Sequence, residues 1–153
     1  MESDEPLFKH PLSTLIEDYL SDKGLVAGDL GRRKNDEIVY SFRSERGSTI
    51  VIRLYRHQDE GEPLKHWLCF EFGVGVVVEQ DAPAVLHAVC RQMHTCFIPL
   101  RAAAMPYEES KQILILILRA ESDAFHKAYV ETILDLGLQI SDELREGFDL
   151  PTA

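Results

Sequence analysis

The chain has 153 residues, of which 45% are apolar and 27% charged, with a formal net charge of −10. That is enough to bury one core without disulfides or metals. A surplus of acid excludes nucleic-acid binding except through a local basic patch, because phosphates are bound by Lys and Arg. The one compact basic run, Arg32, Arg33 and Lys34, falls in a glycine-rich stretch and reads as a solvated loop. The first five residues, Met1 to Glu5, are acidic where a secretory segment would be basic, and no apolar run follows them. The densest apolar run, Ile113 to Leu118, is too short to span a bilayer. Cys69, Cys90 and Cys96 form no CxxC pair and read as reduced thiols. The expectation is a cytoplasmic, single-domain chain that binds neither nucleic acid nor membrane. Its ordered core would run from about residue 12 to 146, with both ends fraying.

The first predicted element is a helix from Leu12 to Asp22. Leu12, Leu15, Ile16, Tyr19 and Leu20 make one apolar stripe, Pro11 suits its start and Gly24 its stop. A loop is expected from Gly24 to Asn35. Three strands follow. In the first, Ile38, Tyr40 and Phe42 share a face, with Val39, Ser41 and Arg43 on the other; residues 45–48 read as a hairpin turn. In the second, Ile50, Ile52 and Leu54 oppose Val51, Arg53 and Tyr55. The third starts near Lys65, with Leu68, Phe70, Phe72 and Val74 opposing Trp67, Cys69 and Glu71. Gly73 and Gly75 lack the third glycine of a dinucleotide fingerprint, and their expected role is to relieve crowding or permit a bulge.

Asp81 and Pro83 mark the start of a second helix running to about His94, with Val85, Leu86, Val89, Cys90 and Met93 as its apolar stripe. A fourth strand is expected from Phe97 to Ala103, a turn over Pro106 to Ser110, and a fifth strand from Gln112 to Arg119. The fifth is apolar on both faces, which requires cover on both. A third helix begins near Ser122, with Phe125, Tyr129, Ile133 and Leu136 as its buried stripe. Gly137 reads as its end, and Ser141 as the cap of a short final turn. The fold class is α+β, in the order α-β-β-β-α-β-β-α, with a mainly antiparallel five-stranded sheet and flanking helices.

Candidate chemistry is thin. His87, Cys90 and His94 share a helix face at i, i+3 and i+7, and Cys96 could complete a tetrahedral zinc set, but the spacing matches no common zinc module. No nucleophile elbow is present. The acid pairs at residues 108–109 and 142–143 read as solvated surface. No cofactor and no catalytic residue is expected. The second sheet face, with Val39, Val51, Tyr55, Trp67 and Cys69, is the feature with functional content, because an uncovered apolar face with aromatic anchors marks an interaction site.

The element order, length and acidity resemble the class I type III secretion chaperones and the YbjN family, bacterial proteins of one fold. The likeness runs from about Leu12 to Leu144, and the segment from His87 through Phe97, Ile98, Pro99 and Leu100 looks like the family's second helix feeding its fourth strand. It departs from YbjN proteins at Met93, His94 and Thr95, where those often carry an asparagine. The resemblance implies a non-enzymatic homodimer that binds a protein or peptide client, or a regulator. Leu12, Ile16, Tyr55 and Trp67 are the candidate partner-binding residues. Leu86, Met93, Ile113, Ile115 and Leu116 are the candidate dimer interface. The net negative charge suggests a client with basic residues beside its apolar anchors. The alternatives are a scaffold whose apolar surfaces serve only self-association, and a metal-dependent enzyme built on the Cys and His cluster.

Overall fold

The computed structural model describes residues 9–25, 31–33, 36–94, 96, 98–124 and 126–153. The acidic N-terminal stretch and Lys34, Asn35, Thr95, Phe97 and Phe125, all named among the sequence expectations, lie outside the described residues.

Helix α1 spans Ser13–Asp22 and buries Ile16, Tyr19 and Leu20. It stops at Gly24, whose φ of 76° is open only to residues without a Cβ penalty. The Leu25 amide returns to the Leu20 carbonyl and the Gly24 amide to Ser21, so two carbonyls that the helix end would orphan are satisfied.

The strands are β1 Gly31–Arg33, β2 Glu37–Arg43, β3 Thr49–His57, β4 Lys65–Val78, β5 Arg101–Glu108 and β6 Lys111–Glu121. They form one sheet in the order β1-β2-β3-β4-β6-β5, with every neighbouring pair antiparallel. Helix α2, Ala82–Met93, links β4 to β5, and helix α3, Lys127–Gly147, follows β6 after a short 3₁₀ turn, Ser122–Ala124. The five expected strands and three helices therefore occur in the expected order. The expected loop from Gly24 to Asn35 also contains β1, a three-residue strand paired with β2.

Three boundaries differ from the sequence reading. The strand expected from Phe97 begins instead at Arg101. Ile98 and Leu100 precede it as irregular chain and enter the core; Pro99 between them has no amide to give a ladder. Pro106, expected in a turn, lies inside β5, which it can do because β5 is an edge strand. Finally, α3 runs unbroken through Gly137 and Ser141. Its buried stripe is Val130, Ile133, Leu134, Gly137, Ser141 and Leu144, whereas Tyr129 and Leu136 are 39% and 38% exposed. Gly137 is required there by packing: a Cβ would stand 2.3 Å from Cζ of Phe72.

The glycines of β4 play the expected part. Pairing with β6 slips between Gly73 and Gly75. A Cβ on Gly73 would meet Thr49 Oγ1, and one on Gly75 would stand 2.9 Å from the Pro151 carbonyl oxygen. The C-terminal residues do not fray as expected. The Val76 amide donates to the Pro151 carbonyl at 2.8 Å and Arg43 to the Ala153 carbonyl at 2.7 Å.

Beneath this tail lies a buried ionic group. Arg145 donates to Ser48 Oγ, the Arg46 and Val74 carbonyls and Asp142 Oδ1, and Ser48 Oγ donates to the same carboxylate at 2.6 Å. Asp142 is thus buried, contrary to its reading as solvated surface. Burial alone would raise its pKa, but the bonds from Ser48 and Arg145 and the Arg145 charge outweigh this and hold it below the usual carboxylate value.

One apolar cluster joins Ile16 and Leu20 of α1, Val89 of α2 and Val130, Ile133 and Leu134 of α3 to the inward residues of β2, β3, β4 and β6. The helices therefore share one face of the sheet. Among the described residues no helix covers the other.

Candidate protein-binding face

Strand parity fixes what the open face presents. Leu114, Leu116 and Leu118 of β6 point into the core, so Ile113, Ile115, Ile117 and Arg119 point out. In register, Ile115 stands between Gly73 and Ala103, Ile113 between Val76 and Met105, and Ile117 between Glu71 and Arg101. This makes an apolar zone at the β5 side of the sheet. Met105 at its margin is 48% exposed.

Towards β3 the face changes character. Tyr55 and Trp67 are cross-strand partners, as are Arg53 and Cys69, and Cys69 and Arg119. The Arg119 guanidinium lies 5.0 Å from the Trp67 ring and 5.8 Å from that of Tyr55, within cation–π range. Arg53 pairs with Glu37 at 3.3 Å and Glu71 at 3.7 Å, and Lys65 with Glu121 at 3.2 Å. A cavity of about 310 Å³ opens here, lined by Asp36, Glu37, Arg53, Tyr55, Arg56, Cys69 and Arg119. Burial pushes the Tyr55 phenol up, opposed by the Arg119 charge beside it. Burial also raises the Cys69 thiol, with Glu71 adding to the effect and Arg53 and Arg119 opposing it. A thiol raised in this way is neutral near pH 7 and a poor nucleophile.

The candidate residues from the sequence divide accordingly. Tyr55 and Trp67 are half-buried neighbours on the open face. Leu12 and Ile16 are not on a binding surface: both are buried, Ile16 at 0% exposure, because the stripe of α1 is used against its own sheet. Leu116 is likewise removed from the candidate interface, at 0% exposure among the core residues. Ile113 and Ile115 lie on the open face, with Ile115 only 5% exposed. Leu86 and Met93 are half-buried on α2, packed against the core on the opposite side of the sheet. These two groups are separated by the β5 edge, so no flat patch contains them together.

His87, Cys90 and His94 are exposed, while Cys96 packs against the core. Among the described residues no three His, Cys, Asp or Glu side chains are grouped as metal ligands. No helix among them is long and apolar enough to cross a membrane.

Arg119 is not among the expected site residues, although parity is the available signal: the face that carries Ile113, Ile115 and Ile117 continues to Arg119. Its position over Trp67 and Tyr55 depends on the register of three strands.

No protein-family model matches the chain, and no curated protein sequence matches it significantly.

Proposed function

We propose that this chain is a non-enzymatic protein-binding module that works as a homodimer in the cytoplasm and holds a segment of a partner protein. The observation that carries the reading is the sheet face left open by three helices that all pack on the other side. A half-apolar face with an aromatic pair at one end suits a protein partner. The three cysteines, all unpaired, suit a reducing compartment.

The two sheet edges support the dimer. Edge strand β1 is three residues long, too short to offer much backbone for further pairing. Edge strand β5 is eight residues long and uncharged from Ala102 to Tyr107, and the features that block pairing, Pro106 and the register shift after it, lie near its end. A second copy meeting β5 would reach Met105 and Ile113 on one side and Leu86 and Met93 on the other. Such a contact is self-complementary about a twofold axis.

Light scattering on the purified chain tests the reading. A dimer at micromolar concentration that Met105→Asp converts to a folded monomer is the expected result. A wild-type monomer would count against it. A dimer that captures no partner segment would leave the scaffold alternative, in which these surfaces serve only self-association.

A further inference from the structure

We propose that the Arg119 guanidinium, lying over the neighbouring rings of Trp67 and Tyr55, is the receptor for a carboxylate carried by the segment that binds the open face. This rests on the reading of that face as a protein-binding surface and specifies the chemistry of the partner there.

The first ground is the pairing of charges. Glu37 and Glu71 are engaged by Arg53, and Glu121 by Lys65. Asp36 lines the same cavity from its β2 side. Among the described residues no ion pair joins Arg119 to a carboxylate, although the chain carries ten more acidic than basic residues. The cation nearest the middle of this zone is thus the one whose complement would have to come from outside.

The second ground is geometry. Two aromatic rings at 5.0 and 5.8 Å restrain the guanidinium, and Arg119 is exposed. A restrained planar fork loses little entropy on pairing with a carboxylate in two parallel bonds. Lysine at the same place would offer a point charge without the fork. Half-buried rings beside the fork favour a ligand with an apolar neighbour next to its acid.

The third ground selects the anion. Glu37, Glu71, Glu121 and Asp36 surround the position, so a phosphate dianion would meet more repulsion than a single carboxylate. The local chemistry therefore asks for acid in the partner, although the net charge of the whole chain favours base. The source can be an Asp or Glu side chain or the terminal carboxylate of a peptide.

Trp67 is the only tryptophan, so its fluorescence reports on the position directly. Three probes are titrated into the full chain: acetyl-Leu-Glu-Leu-amide, its Gln counterpart, and acetyl-Leu-Gln-Leu with a free C-terminus. A saturable change with the Glu peptide and none with the blocked Gln peptide is expected. Binding only of the free-ended peptide would assign the site to a chain terminus, within the same proposal. Arg119→Gln should weaken the acidic peptide about tenfold or more, and Arg119→Lys should weaken it less, both with unchanged circular dichroism. Equal binding of the blocked Gln peptide, stronger binding of inorganic phosphate, retained affinity in Arg119→Gln, or no saturable response to either acid would overturn the proposal. If the acids fail while the dimer persists and Met105→Asp still disrupts it, the carboxylate receptor falls and the dimer reading stands. If the acids bind a monomeric chain, the receptor stands and the dimer falls.

Discussion

Gly137 and Phe72 meet where the middle of α3 crosses β4, and the helix backbone approaches so closely that a Cβ would fall 2.3 Å from Cζ and 2.6 Å from Cε1 of the ring. Glycine costs a helix interior about 1 kcal/mol relative to alanine. Close packing repays that here. Gly137→Ala gains the propensity but forces a fully buried ring to move, at roughly 1–3 kcal/mol or more. Net destabilisation is expected in urea unfolding. Phe72→Leu removes the clash, so the double variant should be more stable than the sum of the single changes implies. Additive effects would show that Gly137 is tolerated for another reason.

Arg145 ties the end of α3 to the β2–β3 hairpin and to β4. Arg145→Met leaves the Asp142 carboxylate buried without its cation and should cost about 3–5 kcal/mol. Pairing it with Asp142→Asn removes the stranded charge, and the double variant should recover part of that loss. A double variant no more stable than Arg145→Met would refute the charge argument. The pH dependence has a definite sign. The Asp142 pKa is lower in the folded state, so its contribution is present above the unfolded carboxylate value and is lost as pH falls through the folded value.

His10 gives a second, separable pH effect. Its Nδ1 accepts the Leu12 amide at 3.1 Å and its Nε2 donates to the Trp67 carbonyl at 2.8 Å, so this network uses the neutral ring. Burial, then the nearby His66, lower its pKa to about 4, against the bonding to backbone carbonyls. The unfolded chain takes up a proton near pH 6.5 and the folded chain only near pH 4. Stability should therefore decline as pH falls between those values and level off below. His10→Gln should flatten that part of the stability profile. An unchanged slope would mean that other groups carry it.

Periodicity made the sheet legible. Ile38, Tyr40 and Phe42, and Ile50, Ile52 and Leu54, sit on the face their alternation indicated, because one covered face forces period two. What escaped depended on contacts distant in sequence. Gly137 resembles a helix stop until Phe72, from another element, is seen to need its space. Asp142 and Arg145 are only an i, i+3 pair until Ser48 and the Arg46 carbonyl close around them. The apolar run at Phe97–Leu100 looks like a strand, although Ile98 and Leu100 are buried as irregular chain. For the candidate site, parity placed Tyr55 and Trp67 on the second face. It could not show that the stripe of α1, including Ile16, belongs to the core.

Trp67 separates a packing role from a binding role. A fully buried tryptophan cut to alanine costs roughly 3–5 kcal/mol, mostly from transfer and the cavity left behind. Trp67 is half-buried, with the Arg119 guanidinium 5.0 Å from its ring and no helix among the described residues over it. The bond from His10 goes to its backbone carbonyl and survives truncation. Part of the ring is therefore already in water, and its removal opens a surface groove in place of an internal void. Trp67→Ala should cost about 1–2 kcal/mol, below the range for a buried ring, while binding of the acidic peptide should fall because Arg119 loses the nearer of its two cation–π partners. That peptide binding is read by calorimetry, since the variant has no tryptophan to follow. Tyr55→Ala should act in the same direction and more weakly, its ring being the farther from the guanidinium, at 5.8 Å. A loss of 3 kcal/mol or more for Trp67→Ala, with peptide affinity intact in the folded fraction, would make the tryptophan a core residue and remove it from the binding face.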